Sequence, residues 1–149
     1  MKNLKYMILL FGLAKIAWTD KKEKRISNKT LGVLLMFRIL VLLLESSVLA
    51  ENLMAQFCEA LHGFTVGGSL FLLCYFASSK NIGAGDVKLL AVIGSYLGSD
   101  EILWTAFLAV VYAAVYFFWK IFVKKENLER KIAFAPFVFV GMITIWMIN

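Results

Sequence analysis

The octapeptide Asn81-Ile82-Gly83-Ala84-Gly85-Asp86-Val87-Lys88 stands between two strongly apolar runs, residues 64–77 and 89–97. If those runs lie in a membrane, a carboxylate at their junction is costly unless it has a partner or a task. The two glycines before Asp86 can take backbone conformations closed to other residues and can approach a neighbouring chain closely. The octapeptide therefore predicts a functional carboxylate at Asp86 and a second group working beside it.

The composition predicts a membrane protein. Hydrophobic residues make up 61% of the 149 residues, and there is one proline. A soluble domain of this length could not hide so much apolar surface. The length accommodates about six short spans of roughly 17 residues each. We therefore expect an all-α fold, a polytopic membrane helix bundle with about six transmembrane helices in a single integral membrane domain, residues 1–149.

The formal net charge of +6 does not indicate a nucleic-acid partner. The basic residues cluster between apolar runs, which is the pattern of cytosolic membrane loops. Cys58 and Cys74 lack the spacing of a zinc site, so both are predicted to be small buried apolar residues. We expect no bound metal and no cofactor.

Apolar runs divide the chain into six predicted spans, about residues 4–18, 31–44, 64–77, 87–97, 102–118 and 132–148. Residues 51–62 place polar and apolar side chains on opposite faces at helical spacing. That stretch predicts either an amphipathic helix in the membrane interface or the start of the third span. Residues 45–52 are predicted to connect the second span to it.

The distribution of charge predicts an orientation. The links after the first, third and fifth spans carry most of the Lys and Arg, including the densest basic stretch, residues 20–29, and the segment 120–131. Because positive loops stay in the cytosol, Asp20 and Asp86 should lie at cytosolic helix ends and both termini outside. Lys2 and Lys5 argue in the opposite direction, but they are fewer.

Asp20 and Asp86 are therefore predicted at one membrane level. Two neighbouring carboxylates can share a proton, since both cannot ionise cheaply at short range. The charged one can activate a water while the protonated one polarises a carbonyl. The alternative is two ordinary interfacial aspartates, one at a helix end and one capping a helix start.

Several motifs narrow these alternatives. Residues 83–88 follow the pattern Gly-x-Gly-Asp-x-Lys, and Asp20 precedes a basic run that ends in Ile26-Ser27-Asn28. Residues 89–98 end in Leu-Gly, and a late segment reads Phe134-Ala135-Pro136-Phe137. In order and spacing, over nearly the whole chain, these motifs resemble those of the type IV prepilin peptidase family of membrane aspartic proteases.

The resemblance implies a peptidase of the cell membrane that removes the basic leader from type IV prepilins or pilin-like proteins at the cytosolic face. It implies that Asp20 and Asp86 are the catalytic pair, without assigning base and acid. The motif residues that would support them are Gly83, Gly85, Lys88 and Asn28.

The chain departs from the family pattern at two points. Ser27 stands where the family usually has proline, and we expect activity to survive because serine also tolerates turns. The four-cysteine zinc segment that many bacterial members carry, and that is associated with methylation of the new N-terminus, is not found in this sequence. The resemblance therefore implies a short form that acts only as a peptidase, or one whose product is methylated by another protein.

Other polar residues in the apolar runs and links allow more than one interpretation. Arg38 is costly in mid-span, and Glu59 is one candidate partner, with a polar groove or snorkelling as alternatives. Lys88 is expected either to influence the charge of Asp86 or to reach lipid phosphates, and His62 is expected to be structural.

The competing functions are a small transporter in which Asp20 and Asp86 bind a cation or relay protons, and an inactive pilus-assembly subunit.

Overall fold

The computed structural model describes residues 2–49, 52–77, 83–122 and 133–148. Within these ranges the chain is all-helical, which confirms the predicted fold class. Its six helices are α1 (Lys2–Glu23), α2 (Asn28–Leu49), α3 (Leu53–Ala77), α4 (Ala84–Leu97), α5 (Ser99–Phe122) and α6 (Ala135–Ile148). Most of the predicted basic segment 120–131 lies outside the described residues.

Three of the described helices are long and apolar enough to cross a membrane, over residues Asn28–Ser47, Leu53–Phe76 and Ser99–Lys120. The apolar helix α6 is shorter, at 14 residues. Large apolar side chains point outwards from the bundle, among them Phe11, which is 84% exposed, and Trp18, which is 75% exposed. Because an apolar exterior of this kind suits lipid rather than water, the chain is a membrane protein.

The short helix α4 lies at the centre of the bundle. Residues 89–96 are all buried, as expected for a helix that is apolar on every side. It packs most closely on α3, where Gly63 and Gly94 face each other so tightly that a Cβ on either would overlap the carbonyl oxygen of the other. A Cβ on Gly67 would lie 2.5 Å from the carbonyl oxygen of Leu90. The close packing of α3 on α4 therefore extends over two turns, from Gly63 to Gly67 and Gly68.

The buried end of α4 is anchored by Arg38 of α2. The Arg38 Nε–H donates to the carbonyl oxygen of Ser95 at 2.6 Å, and its guanidinium lies 5.6 Å from the Tyr96 ring centroid. Its ion-pair partner is Glu45, at 3.3 Å, and Glu45 also pairs with Lys5 at 2.9 Å. The predicted connection at residues 45–52 was therefore wrong at its start. Glu45 belongs to α2, because a buried arginine requires a buried carboxylate within reach.

The polar start of the third predicted span belongs to α3. This helix runs without a break from Leu53 to Ala77, and therefore passes through His62. Of the two alternatives for residues 51–62, the structure supports the start of the third span; Glu51 itself lies outside the described residues. Cys58 and Cys74 were predicted to be buried, and that was wrong, because both are exposed. In a bilayer a small apolar side chain loses nothing by facing lipid.

Candidate active site

A cavity of about 1240 Å³ opens between α3, α5 and α6, and both candidate aspartates line it. Its long walls are mainly apolar side chains of α3 and α5. Its polar part is formed by the end of α1, the loop that follows it and the start of α4, through Asp20, Lys24, Arg25, Asn28, Asp86 and Lys88. The predicted site residues of both motifs are therefore brought into one cavity.

Asp20 lies in the last turn of α1, beyond the apolar segment 4–18. It is only 5% exposed, and its Oδ2 accepts a hydrogen bond from the backbone N–H of Ala135 at 3.1 Å. The carboxylate thus caps the start of α6, where unpaired N–H groups carry a partial positive charge. Burial raises the pKa of Asp20, while hydrogen bonds from the backbones of Ala135 and Phe134 oppose that rise.

Asp86 lies in the first turn of α4, just before the apolar segment 87–97. Burial raises its pKa from the ordinary value of 3.8 to about 7. The second cause of the rise is the negative charge of Asp20, and a backbone hydrogen bond from Gly83 opposes both. The negative charge of Asp20 therefore acts on Asp86, the other carboxyl group of the cavity.

The two glycines of the motif serve close packing. A Cβ on Gly83 would lie 3.1 Å from Oδ2 of Asp86, and one on Gly85 would lie 3.1 Å from Cβ of Ile26. Gly83 has an extended backbone, with φ −71° and ψ 133°, and Gly98 is the glycine with positive φ among the described residues. The sequence offered two reasons for these glycines, close approach of a neighbour and a backbone conformation closed to other residues. Close approach is confirmed, and neither Gly83 nor Gly85 needs a special conformation.

Lys88 and Asn28 connect the two motifs directly. The Lys88 Nζ donates to the Asn28 side-chain oxygen at 3.3 Å. The sequence offered two partners for Lys88, the Asp86 charge and lipid phosphate, and the structure adds the amide of Asn28. His62 is exposed and is not among the residues that line the cavity.

Sequence reasoning missed two contributions to this site. The first is Ile26, whose side chain covers Gly85. The second is the start of α6, which supplies the N–H groups that contact Asp20. A signal for the second was present, because a proline in the first turn of a helix, here Pro136, marks a helix start whose N–H groups are free to bind an anion. Ile26 was part of the quoted motif Ile26-Ser27-Asn28, but nothing local in the sequence pointed to its contact with Gly85.

The fold and the cavity define a class of protein, a helical membrane protein with two coupled carboxyl groups in one cavity. The sequence model of the type IV leader peptidase family matches residues 7–118, three quarters of the 149 residues. The chain belongs to the type IV leader peptidase family. Asp20 and Asp86 lie inside the matched region, whereas the start of α6 lies beyond it. No curated protein and no solved structure gives a significant match.

Proposed function

We propose that this chain is an aspartic endopeptidase of the cell membrane, a single domain over residues 1–149 that removes the leader from type IV prepilins or pilin-like proteins. Asp20 and Asp86 are the catalytic pair. The observation that carries the proposal is that both carboxyl groups line one cavity in a chain of this family, and that the charge of Asp20 helps to raise the pKa of Asp86. Two unrelated interfacial carboxylates would not need to be coupled.

The proposed chemistry uses the unequal environments of the two groups. Asp20 receives N–H groups from the start of α6, so it carries the negative charge and acts as the base. Asp86 holds the shared proton below about pH 7 and acts as the acid. Asp20 takes a proton from water as the water oxygen attacks the scissile carbonyl carbon, and Asp86 gives its proton to the carbonyl oxygen. When the tetrahedral intermediate collapses, the C–N bond breaks, the leaving amine takes the proton from Asp20, and one hydroxyl group of the intermediate returns a proton to Asp86 as the C=O bond re-forms, which restores both carboxyl groups.

The walls of the cavity support a peptide substrate with an apolar segment. On α5 the lining residues run from Leu103 to Phe117, which at 1.5 Å per residue corresponds to about 21 Å along the helix axis. The volume of about 1240 Å³ exceeds the roughly 300–1,000 Å³ of ordinary small-molecule pockets. Since a peptide exposed to lipid must satisfy its own backbone hydrogen bonds, we expect the apolar segment of the substrate to be helical where it faces the bilayer. Four of the five residues after Asp20, residues 21–25, are basic. They favour a cytosolic position for the end of the cavity that holds Asp20 and Asp86, and an external position for both termini.

The test is leader cleavage of a co-expressed type IV prepilin. The chains compared are the wild type, Asp20→Asn, Asp86→Asn and a matched control, Asp100→Asn. Asp100 is an exposed carboxylate that does not line the large cavity. We expect normal cleavage by the wild type and the control, and a loss of at least about a thousandfold in both aspartate variants, as for other members of a catalytic group.

Cleavage that persists in either aspartate variant, at equal membrane levels, would overturn the two-aspartate mechanism. If the wild type cuts none of a panel of pilin-like proteins, the proposed substrate class is wrong. Proton or cation uptake into vesicles that depends on Asp20 and Asp86 would then favour the transporter.

A further inference from the structure

The loop between α1 and α2, together with the first residue of α2, contacts α4 on both sides of Asp86. Ile26 covers Gly85, the residue immediately before Asp86, with its Cβ 3.1 Å from where a Gly85 Cβ would be. Asn28 accepts a hydrogen bond from Lys88, two residues after Asp86, at 3.3 Å. One short segment therefore contacts the first turn of α4 at two points that flank its carboxyl group.

The same loop begins at the other carboxyl group. The backbone N–H of Lys24 donates to the carbonyl oxygen of Asp20 at 2.8 Å, and Lys24 has a left-handed backbone with φ 51°. This conformation ends α1 and turns the chain back, in the manner of a helix C-terminal cap. Residues 20–28 thus connect Asp20 covalently to the two contacts that flank Asp86.

The two ends of α4 are held differently. At its C-terminal end residues 89–96 are buried, Arg38 binds the Ser95 carbonyl, and the Tyr96 hydroxyl donates to the carbonyl oxygen of Leu34 at 2.5 Å. At its N-terminal end, Gly83 and Ala84 are exposed, and the helix starts without a side-chain cap. The contacts from the loop therefore act where α4 is least enclosed, which is also where Asp86 lies.

We infer that Ile26 and Asn28 are positioning residues that hold the first turn of α4, and with it the carboxyl group of Asp86, beside Asp20. The inference rests on the proposed two-aspartate mechanism. Neither side chain takes part in proton transfer; both act through the residues next to Asp86. The absence of a side chain at Gly85 is what allows Ile26 to approach this closely.

The first test is kinetic. Gly85→Ala puts a methyl group 3.1 Å from the Ile26 Cβ, so the loop or the helix must shift by a few tenths of an ångström. Since a misplacement of 1 Å can cost about a hundredfold, we expect kcat to fall by about tenfold with KM little changed. The matched control is Gly32→Ala, where an added Cβ meets nothing within 4 Å.

A conservative variant and a pH profile separate positioning from simple folding. Asn28→Ala should lower kcat, whereas Asn28→Asp keeps an oxygen for Lys88 and should retain most of it. A loosened first turn moves Asp86 away from Asp20 and toward water, so its pKa falls and the alkaline limb of the profile shifts to lower pH. The other titratable side chains lining this cavity are Asp20, Lys24, Arg25, Cys74, Tyr75 and Lys88. These are unchanged in Gly85→Ala and in Asn28→Ala.

A second test does not depend on activity. In a chain with Cys58→Ser and Cys74→Ser, cysteines are introduced by Ile26→Cys and Gly85→Cys. Their Cβ atoms would start 3.1 Å apart, close to the roughly 3.5–4.5 Å of disulfides, so oxidation should cross-link them. The control pair Gly32→Cys and Gly85→Cys should stay reduced. The readout is a mobility shift of the purified chain on a non-reducing gel.

Each outcome has a defined meaning. Failure to form the cross-link in folded protein would overturn the contact on which the inference depends. A cross-link accompanied by wild-type kcat and an unshifted pH profile in both Gly85→Ala and Asn28→Ala would overturn the positioning role, while the two-aspartate mechanism stands. If neither the wild type nor Gly32→Ala cleaves the substrate, the proposed function is contradicted. The contact between Ile26 and Gly85 can still be judged in that case, because the cross-link test does not depend on cleavage.

Discussion

Replacing Asp86 by asparagine should stabilise the folded protein at alkaline pH. Burial and the charge of Asp20 raise the pKa of Asp86 from 3.8 to about 7, so the folded state favours the protonated form. A group of this kind contributes full stability below its unfolded pKa and loses that contribution as the pH rises through the folded pKa. Asparagine has the shape of the protonated carboxyl group and cannot ionise.

The magnitude follows from the two pKa values. Each pH unit between them corresponds to about 1.4 kcal/mol, so ionising Asp86 in the folded protein costs at most about 4 kcal/mol. Asp86 is half-buried, and screening by water reduces that upper limit. For a chain of this size, 4 kcal/mol corresponds to a change in the unfolding midpoint on the order of 10 °C.

The assay is thermal unfolding in detergent micelles, followed by helical circular dichroism at pH 4 and pH 8. We expect similar midpoints for the wild type and Asp86→Asn at pH 4, and a clearly higher midpoint for the variant at pH 8. In an Asp20→Asn background the gain should shrink, because one cause of the raised pKa has been removed. The control is Asp100→Asn, at an exposed carboxylate, which should not reproduce the large gain at pH 8.

A midpoint difference between Asp86→Asn and the wild type that does not change between pH 4 and pH 8 would refute this reasoning. It would mean that the folded state does not raise the pKa of Asp86. An equal gain with and without the Asp20 charge would refute the coupling of the two carboxyl groups, and with it the main support for a catalytic pair.

Three further predictions concern activity and packing. Cleavage should decline as the pH rises above about 7, where Asp86 loses the proton that the mechanism requires. A cleavage rate that does not change between pH 6 and pH 9 would contradict the assignment of Asp86 as the acid. Arg38→Met should destabilise the protein by up to about 3–5 kcal/mol, because it removes one of the two described cations that pair with buried Glu45 and leaves Lys5 as the other. Adding Glu45→Leu should recover most of the loss, measured by urea unfolding in mild detergent. Gly94→Ala should force α3 and α4 apart, so that this variant no longer accumulates in membranes, whereas Gly32→Ala should accumulate normally. Equal membrane levels of the two variants would disprove the close contact between Gly63 and Gly94.

The sequence determined the elements of this protein and the identity of its candidate catalytic groups. Long apolar runs interrupted by charged links predicted a membrane bundle of about six helices, and six were found among the described residues. These inferences succeed because helix formation and the burial of apolar runs depend on neighbouring residues. The aspartates were identified by their chemistry, since a carboxylate beside an apolar span is costly without a function.

Only the tertiary structure decided which residues contact one another. Asp20 meets the backbone of Ala135, 115 positions away, and Arg38 pairs with Glu45 rather than with Glu59. Ile26 lies over Gly85 because α1 ends in a turn that directs the following loop onto α4. Such contacts depend on how rigid helices pack against each other, and the side-chain pattern of one helix does not specify which residues of a distant helix will face it. The sequence therefore determines which groups are available for chemistry, and the packing of α1, α4 and α6 determines which of them share a cavity.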